Sequence, residues 1–150
     1  MSLSDWQKNG WLKAHKTSAE EIAALLALAS RDLKDAKAKG LSDDWRFSIA
    51  YNAALQASSA ALSASGYAVA KGDSNHFRVI QSLAFTVGSS KDEVDTFDQY
   101  RRKRSMSIYD VAGVITEAEA KAMHAFAKDL IATVRAWLQA EHPGLLPGKR

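Results

Sequence analysis

The sequence predicts an all-α fold, an antiparallel bundle of four to five helices. Both prolines stand near the end of the chain, at Pro143 and Pro147, so the strongest helix breaker is missing before them. Alanine, the best helix former, is abundant, and apolar residues recur at spacings of three and four along most of the chain. A length of 150 residues suits one domain. We predict an N-terminal arm over residues 1–16, a bundle over 17–141 and a flexible tail over 142–150.

The composition excludes several classes of site. The absence of cysteine rules out a disulfide framework, a thiolate zinc site and a cysteine nucleophile. No metal-binding motif and no glycine-rich phosphate loop occurs, so no metal and no cofactor is predicted. The net charge of +3 is too small to indicate nucleic-acid binding by itself. No apolar run suits a signal peptide or a membrane span, so we expect a soluble, cytoplasmic protein with no membrane partner.

The first predicted helix begins at a capping box and ends at a glycine. Ser18 and Glu21 can satisfy each other's backbone donors, and Gly40 is the natural stop. One apolar stripe lies between them, made of Ile22, Leu25, Leu26, Ala29, Leu33 and Ala36. In the arm before it, Trp6 and Trp11 show too little periodicity for more than a short turn, but they should dock on the bundle.

The second predicted helix is the central one. It begins at Ser42, with acidic residues where the helix dipole favours them, and ends near Gly66. One side carries Phe47, Ala50, Tyr51, Ala54, Ala61 and Leu62, and a second side carries the small residues Ala53, Ala57, Ala60 and Ala64. Two apolar sides imply burial on two sides.

Three further helices are predicted beyond a turn cluster at residues 71–75. A short one runs from Phe77 to Gly88, and a fourth is capped by Ser89 or Ser90. The last opens with a capping box at Thr116. Its stripe is Met123, Phe126, Leu130, Val134 and Trp137. The aromatic residues predicted for the core are Trp45, Phe47, Phe97, Phe126 and Trp137. Of the remaining histidines, His124 is predicted at a boundary position, and His15 and His142 in flexible ends.

A run of four cations, Arg101 to Arg104, is the main functional candidate. It ends the predicted fourth helix, where cations suit the dipole. At about 100° per residue, Arg101 and Arg104 share the face of Val94 and Phe97, which points to the core. A buried guanidinium needs a carboxylate, a hydrated interface or an anionic ligand. Arg102 points away, where Asp98 is its natural ion-pair partner.

This order of helices resembles the HEPN family of all-α nucleotide-binding domains. The resemblance covers residues 18–140, and it rests on the helix order, on Asn75-His76-Phe77 and on the run from Arg101 to Tyr109. Active members are metal-independent ribonucleases whose motif, an arginine followed after four to six residues by a histidine, faces its copy across a homodimer. The resemblance therefore implies a prokaryotic toxin–antitoxin or defence component.

The chain departs from the motif at the histidine. Arg104-Ser105 supplies the arginine and the polar residue after it, but Tyr109 stands where the histidine belongs. A second alignment starts at Arg102 and places Ser107 there, with Tyr109 where some family toxins carry a tyrosine modified by a partner nucleotidyltransferase. The face argument favours Arg104 over Arg102.

Three functional hypotheses follow. The first is a homodimer that binds RNA or a nucleotide without cleaving it, through Arg101, Arg104, Ser105, Tyr109 and His76, because a tyrosine with a pKa near 10 is a poor base. The second is an active ribonuclease in which Arg104 acts with Tyr109, or His76 replaces the missing histidine. The third is an interaction module whose cations bind an acidic partner protein. The resemblance also implies a cognate nucleotidyltransferase or antitoxin as partner.

Overall fold

In the computed structural model the described residues are 1–72, 75–109 and 112–146, with the backbone alone for 108 and 109. They form a helical bundle with a small two-stranded antiparallel sheet at one side. The elements are α1 (Leu3–Lys8), β1 (Leu12–Ala14), α2 (Ala19–Asp35), α3 (Asp43–Ala64), β2 (Tyr67–Val69), α4 (Asn75–Ser82), α5 (Lys91–Tyr109), α6 (Glu117–Glu141) and a 3₁₀ turn (Pro143–Leu145). No helix among the described residues is long and apolar enough to cross a membrane.

Helix α3 is the centre of the bundle, as its two apolar sides predict. It contacts α2, α4, α5 and α6. Phe47 and Tyr51 are fully buried on one side, and the small residues Ala53, Ala57 and Ala60 are fully buried on the other. Small side chains let neighbouring helices approach closely, so the alanine side packs against helices rather than solvent.

Most predicted caps are present. The side chains of Ser18, Ser42 and Thr116 each accept a backbone hydrogen bond at a helix start, and Thr116 and Glu119 form the full capping box. Ser90, not Ser89, caps α5 through reciprocal bonds with Glu93. The predicted box at Ser18 is only half formed, because the Glu21 carboxylate binds His15 instead, at 2.8 Å.

Residues 1–16 contain more regular structure than the predicted arm with a short turn, and Trp6 and Trp11 dock as predicted. They form α1 and then β1, which pairs with β2 in the register Leu12 to Val69. Trp6 and Leu12 are buried in a second small core with Leu62 and Val79. The prediction missed this element because a six-residue helix and a three-residue strand are too short to show periodicity. His15, predicted to be flexible, is held by Glu21 and by the Gly66 carbonyl.

Two helix boundaries also differ from the prediction. The third predicted helix is shorter, since α4 ends at Ser82 and turns lead to Gly88. Helix α5 runs past Arg104 to Tyr109, so the cations lie in the body of the helix and none is in its last turn. Tyr109 and the residues just before it are thus helical, not in a loop. No glycine or proline follows Arg104 until Gly113, so nothing in the sequence stops the helix there.

Two further corrections concern aromatic residues and the tail. Trp45 is 58% exposed and is not a core residue, because residues two apart on a helix do not share a face and Phe47 takes the inward position. The start of the predicted flexible tail is folded: Leu145 packs against the core, and the His142 ring lies 4.9 Å from Trp137. Residues 147–150 lie outside the described part.

Candidate functional site

Three of the residues predicted to bind a ligand meet at one buried tyrosine. Helix α4 brings His76, and the middle of α5 brings Arg101 and Arg104, to the face of α3 that carries Tyr51. We call Tyr51, His76, Arg101 and Arg104 the arginine cluster. Its members come from three helices, so only the packing of α4 and α5 on α3 assembles it.

Tyr51 is the fixed part of the cluster. Its ring is fully buried and packs edge-to-face on Phe97, with ring centroids 5.7 Å apart. Its hydroxyl lies 3.2 Å from His76 Nδ1. Burial raises the pKa of Tyr51 well above its ordinary value, although the guanidinium of Arg104 opposes that shift. The phenol is therefore neutral at any physiological pH, and it can donate to the imidazole.

His76 is uncharged near neutral pH. Partial desolvation beside Tyr51 lowers the pKa of His76, and the positive charges of Arg104 and Arg101 lower it further. The tautomer decides its role: when Nδ1 accepts from Tyr51, Nε2 carries the proton, and when Nδ1 donates, Nε2 is a free base. The residue is exposed, so a ligand can reach it.

Arg104 is the least satisfied member of the cluster. Its guanidinium carbon lies 5.3 Å from the centre of the Tyr51 ring, a cation–π contact. Its Nε is buried and has no hydrogen-bond partner among the described residues. An unsatisfied buried donor costs about 1–3 kcal/mol, so this group is suited to a partner that the chain itself does not supply.

Arg101 already has a carboxylate. Its Nε donates to Asp98 at 2.7 Å, and its guanidinium carbon lies 5.6 Å from the Phe77 ring centre. Asp98 also meets the exposed Arg102 at 3.4 Å, which confirms the ion pair predicted for Arg102. Because two guanidinium groups share one carboxylate, the surroundings of Arg101 carry a net positive charge. The salt bridge to Asp98 also orients the Arg101 guanidinium.

Two predicted residues are not joined to this cluster. Ser105 is exposed on α5, and no described contact links it to Arg104. The side chain of Tyr109 lies outside the described residues, so its role as the partner of Arg104 stays a prediction. Ser107, the alternative at the histidine position, is buried at 8% exposure and lines a cavity of about 180 Å³ with Ser48. The hydroxyls of both serines have no described hydrogen-bond partner.

Sequence reasoning did not predict that three further residues lie around the cluster. Tyr51 was predicted as core, Asp98 only as a partner of Arg102, and Phe77 only as part of a helical stripe. For Tyr51 the available signal is a hydroxyl on the fully apolar side of the central helix, because a buried phenol needs a hydrogen-bond partner. No comparable signal exists for Phe77, whose neighbour Arg101 is distant in the chain.

No group of three or more metal-ligating side chains occurs in the part of the chain that the structure describes. Comparison of the sequence with protein-family models finds no match, and no curated protein is significantly similar to it.

Proposed function

We propose that this protein binds single-stranded RNA or a nucleotide through its phosphate groups at the arginine cluster, and that it does not cleave the RNA. The observation that carries the proposal is the convergence of His76, Arg101 and Arg104 on Tyr51, with Arg104 Nε buried and unpaired among the described residues. Guanidinium groups bind phosphate oxygens through paired, charge-assisted hydrogen bonds.

Contacts inside the protein that hold the two arginines support binding. Asp98 orients Arg101, and the buried ring of Tyr51 supports Arg104. A site whose side chains are already ordered loses less conformational entropy when a ligand arrives. The neutral imidazole of His76 adds a donor or an acceptor without adding a further charge at neutral pH.

The resemblance to the HEPN family supports the choice of RNA over other phosphate-bearing ligands. It also underlies four further parts of the proposal: a homodimer, a cytoplasmic location, a role in a prokaryotic toxin–antitoxin or defence system, and a cognate nucleotidyltransferase or antitoxin as partner. In this proposal Tyr109 contacts a base or ribose. The mass of the protein in solution tests the dimer.

Binding of a fluorescently labelled single-stranded RNA, followed by anisotropy, tests the proposed function. Arg104→Gln should weaken binding at least about tenfold, the effect of losing a charge-assisted hydrogen bond. Arg102→Gln is the matched control. It removes the same charge, but the Arg102 side chain is 64% exposed and stands two residues before Arg104 in the chain. It should weaken binding by less than about threefold. Equal effects of the two substitutions, or no binding by the wild type, would contradict the proposal.

A second candidate function, a metal-independent ribonuclease, is favoured by one observation. His76 lies beside the two arginines and its pKa is lowered, so a neutral imidazole is available as a general base near neutral pH. His76, rather than Tyr109, would then replace the histidine that the motif lacks. Single-stranded RNA incubated with the protein and EDTA should be cleaved, and both His76→Gln and Arg104→Ala should abolish the cleavage. Intact RNA would contradict the ribonuclease function, and RNA binding without cleavage would remain.

A further inference from the structure

Arginines and aromatic rings alternate along a line that runs from the arginine cluster toward the two-stranded sheet. The Arg101 guanidinium carbon lies 5.6 Å from the centre of the Phe77 ring, and that of Arg78 lies 5.5 Å from the same ring. Arg78 then stacks over Trp11, with its guanidinium carbon 3.8 Å from the ring centre. The line therefore joins α5, the start of α4 and the residue before β1.

A cavity lies at the far end of this line. It has a volume of about 250 Å³, and we call it the sheet pocket. Its walls include the partly exposed ring of Trp11 and the two cations Arg78 and the exposed Lys71. The volume is below the roughly 300–1,000 Å³ typical of pockets that hold a whole drug-sized ligand, so it suits one part of a longer molecule.

The two sites are close enough for one ligand to occupy both. The guanidinium carbons of Arg78 and Arg101 are at most about 11 Å apart, since each lies within 5.6 Å of the Phe77 ring centre. His76 and Arg78 also flank Phe77 in the chain, so α4 holds the sites in a fixed relation. Two neighbouring nucleotides in one strand span a distance of this order.

We propose that the sheet pocket is a second subsite for a single-stranded oligonucleotide. The arginine cluster holds one phosphate of the strand, and the sheet pocket takes the next nucleotide. This inference rests on the proposed function and deepens it, because it makes a strand, not a mononucleotide, the preferred ligand. Cationic side chains track the backbone phosphates, and flat surfaces such as the Trp11 ring and the Arg78 guanidinium accept bases by stacking. Stacking of this kind tolerates any base sequence.

A structural role and a binding role of the sheet pocket can be told apart at Lys71. The stack of Arg78 on Trp11 attaches the residue before β1 to α4, but a structural attachment needs no cation at the exposed position 71. A subsite for a phosphate does need one. The contribution of Lys71 therefore separates a binding role from a structural one.

Competition binding with ligands of increasing length tests the inference. Uridine monophosphate and hexauridylate are each used to displace a labelled RNA strand from the wild type, Lys71→Gln, Arg78→Gln, Arg78→Lys and, as control, Lys128→Gln, an exposed lysine on α6. The wild type should bind hexauridylate at least about tenfold more tightly than the monophosphate. Lys71→Gln and Arg78→Gln should weaken only the hexauridylate, by about three- to tenfold, and Arg78→Lys should fall between wild type and Arg78→Gln.

The outcomes separate this inference from the proposed function. Binding of the monophosphate with no gain for hexauridylate, or a hexauridylate affinity that Lys71→Gln leaves at the Lys128→Gln value, overturns the second subsite alone. Failure of both ligands to bind overturns the proposed function, and the subsite with it. Thermal unfolding of Arg78→Gln shows whether the N-terminal segment stays attached to α4. Lys71 is exposed, so Lys71→Gln keeps the test decisive if that segment detaches.

Discussion

Tyr51 shows how one residue can serve both the core and the site. Its ring is fully buried against Phe97, and its hydroxyl is within hydrogen-bond distance of His76 at the surface. The same ring lies under Arg104, so the position of a charged side chain is set by a core residue. The chemistry of the cluster therefore depends on packing as much as on the charges themselves.

Binding of an internal phosphodiester should depend on the protonation of His76. The free protein holds the pKa of His76 below its ordinary value of about 6.5, and a bound phosphate would raise it again. Between those two values binding takes up a proton, so affinity should rise as the pH falls from neutrality through the ordinary histidine value of about 6.5. An oligonucleotide with hydroxyl groups at both ends excludes titration of a terminal phosphate.

The matched variant for this pH experiment is His76→Gln. It should show a flat pH profile over the same window, since glutamine does not titrate. An equally steep rise in the variant would assign the dependence to another group.

Neighbouring aromatic positions on α3 should differ sharply in stability. Phe47 is fully buried, so Phe47→Ala should lower the free energy of unfolding by about 3–5 kcal/mol. Trp45 is 58% exposed, so Trp45→Ala should lower it by less than about 1 kcal/mol. Urea denaturation measures both. A large loss at Trp45 would mean that this side chain is covered in solution, as it would be at an interface between two copies.

At the scale of elements, α1 and the pairing of β1 with β2 are the largest addition to the predicted bundle. Trp6 packs edge-to-face on Phe85 at 5.3 Å and on Trp11 at 6.0 Å, and β1 pairs with β2, which follows α3 in the chain. The two-stranded sheet thus joins the first and middle parts of the chain. It also forms one wall of the sheet pocket.

Truncation of Trp6 should destabilise the protein as a core substitution does. Trp6 is 6% exposed, so Trp6→Ala should lower the free energy of unfolding by about 3–5 kcal/mol. Leu28→Ala, at a position 37% exposed, is the control and should cost less than about 1 kcal/mol. A loss as small as that of the control would show that Trp6 does not dock on the bundle in solution.

At the scale of the whole molecule, the distribution of charge matters more than its total. The net charge is only +3, yet Arg101 and Arg78 contact the same Phe77 ring, Lys71 lines a cavity together with Arg78, and Arg104 lies in the arginine cluster with Arg101. Two other cations are paired elsewhere: Lys103 bonds Glu119 on α6 at 2.9 Å, and Lys91 bonds Asp95 at 2.7 Å. A weakly charged protein can thus present one local surface that attracts phosphate.

The salt dependence of RNA binding should reflect that local surface. If about three phosphates are neutralised, the logarithm of the association constant should fall with the logarithm of salt concentration at a slope of roughly −2. Anisotropy at several potassium chloride concentrations measures it. Lys71→Gln should reduce the slope by less than one unit, whereas Lys128→Gln should leave it unchanged. A slope near zero would show that phosphates are not the contacted groups.

Much of the bundle could be predicted from local patterns. Spacings of three and four, together with Ser42 and Thr116 as caps, predicted α3 and the start of α6 because capping and helical periodicity depend on residues close in the chain. The inward face of Arg101 and Arg104 followed from the same rotation. The length of α5 was predicted less well, since a run of cations is compatible with both a helix end and a helix interior.

The sequence by itself determined the helical class, the central helix and the two arginines that need a partner, because each depends on hydrogen bonds and periodicities within a few residues. Only the tertiary structure decided that Tyr51 joins those arginines and His76, and that Trp11, just before β1, and Arg78, on α4, lie beside them. These contacts link residues 25 or more positions apart, and no local pattern encodes which faces of distant elements meet. The packing of the helices and of the two-stranded sheet around the buried face of α3 makes that choice.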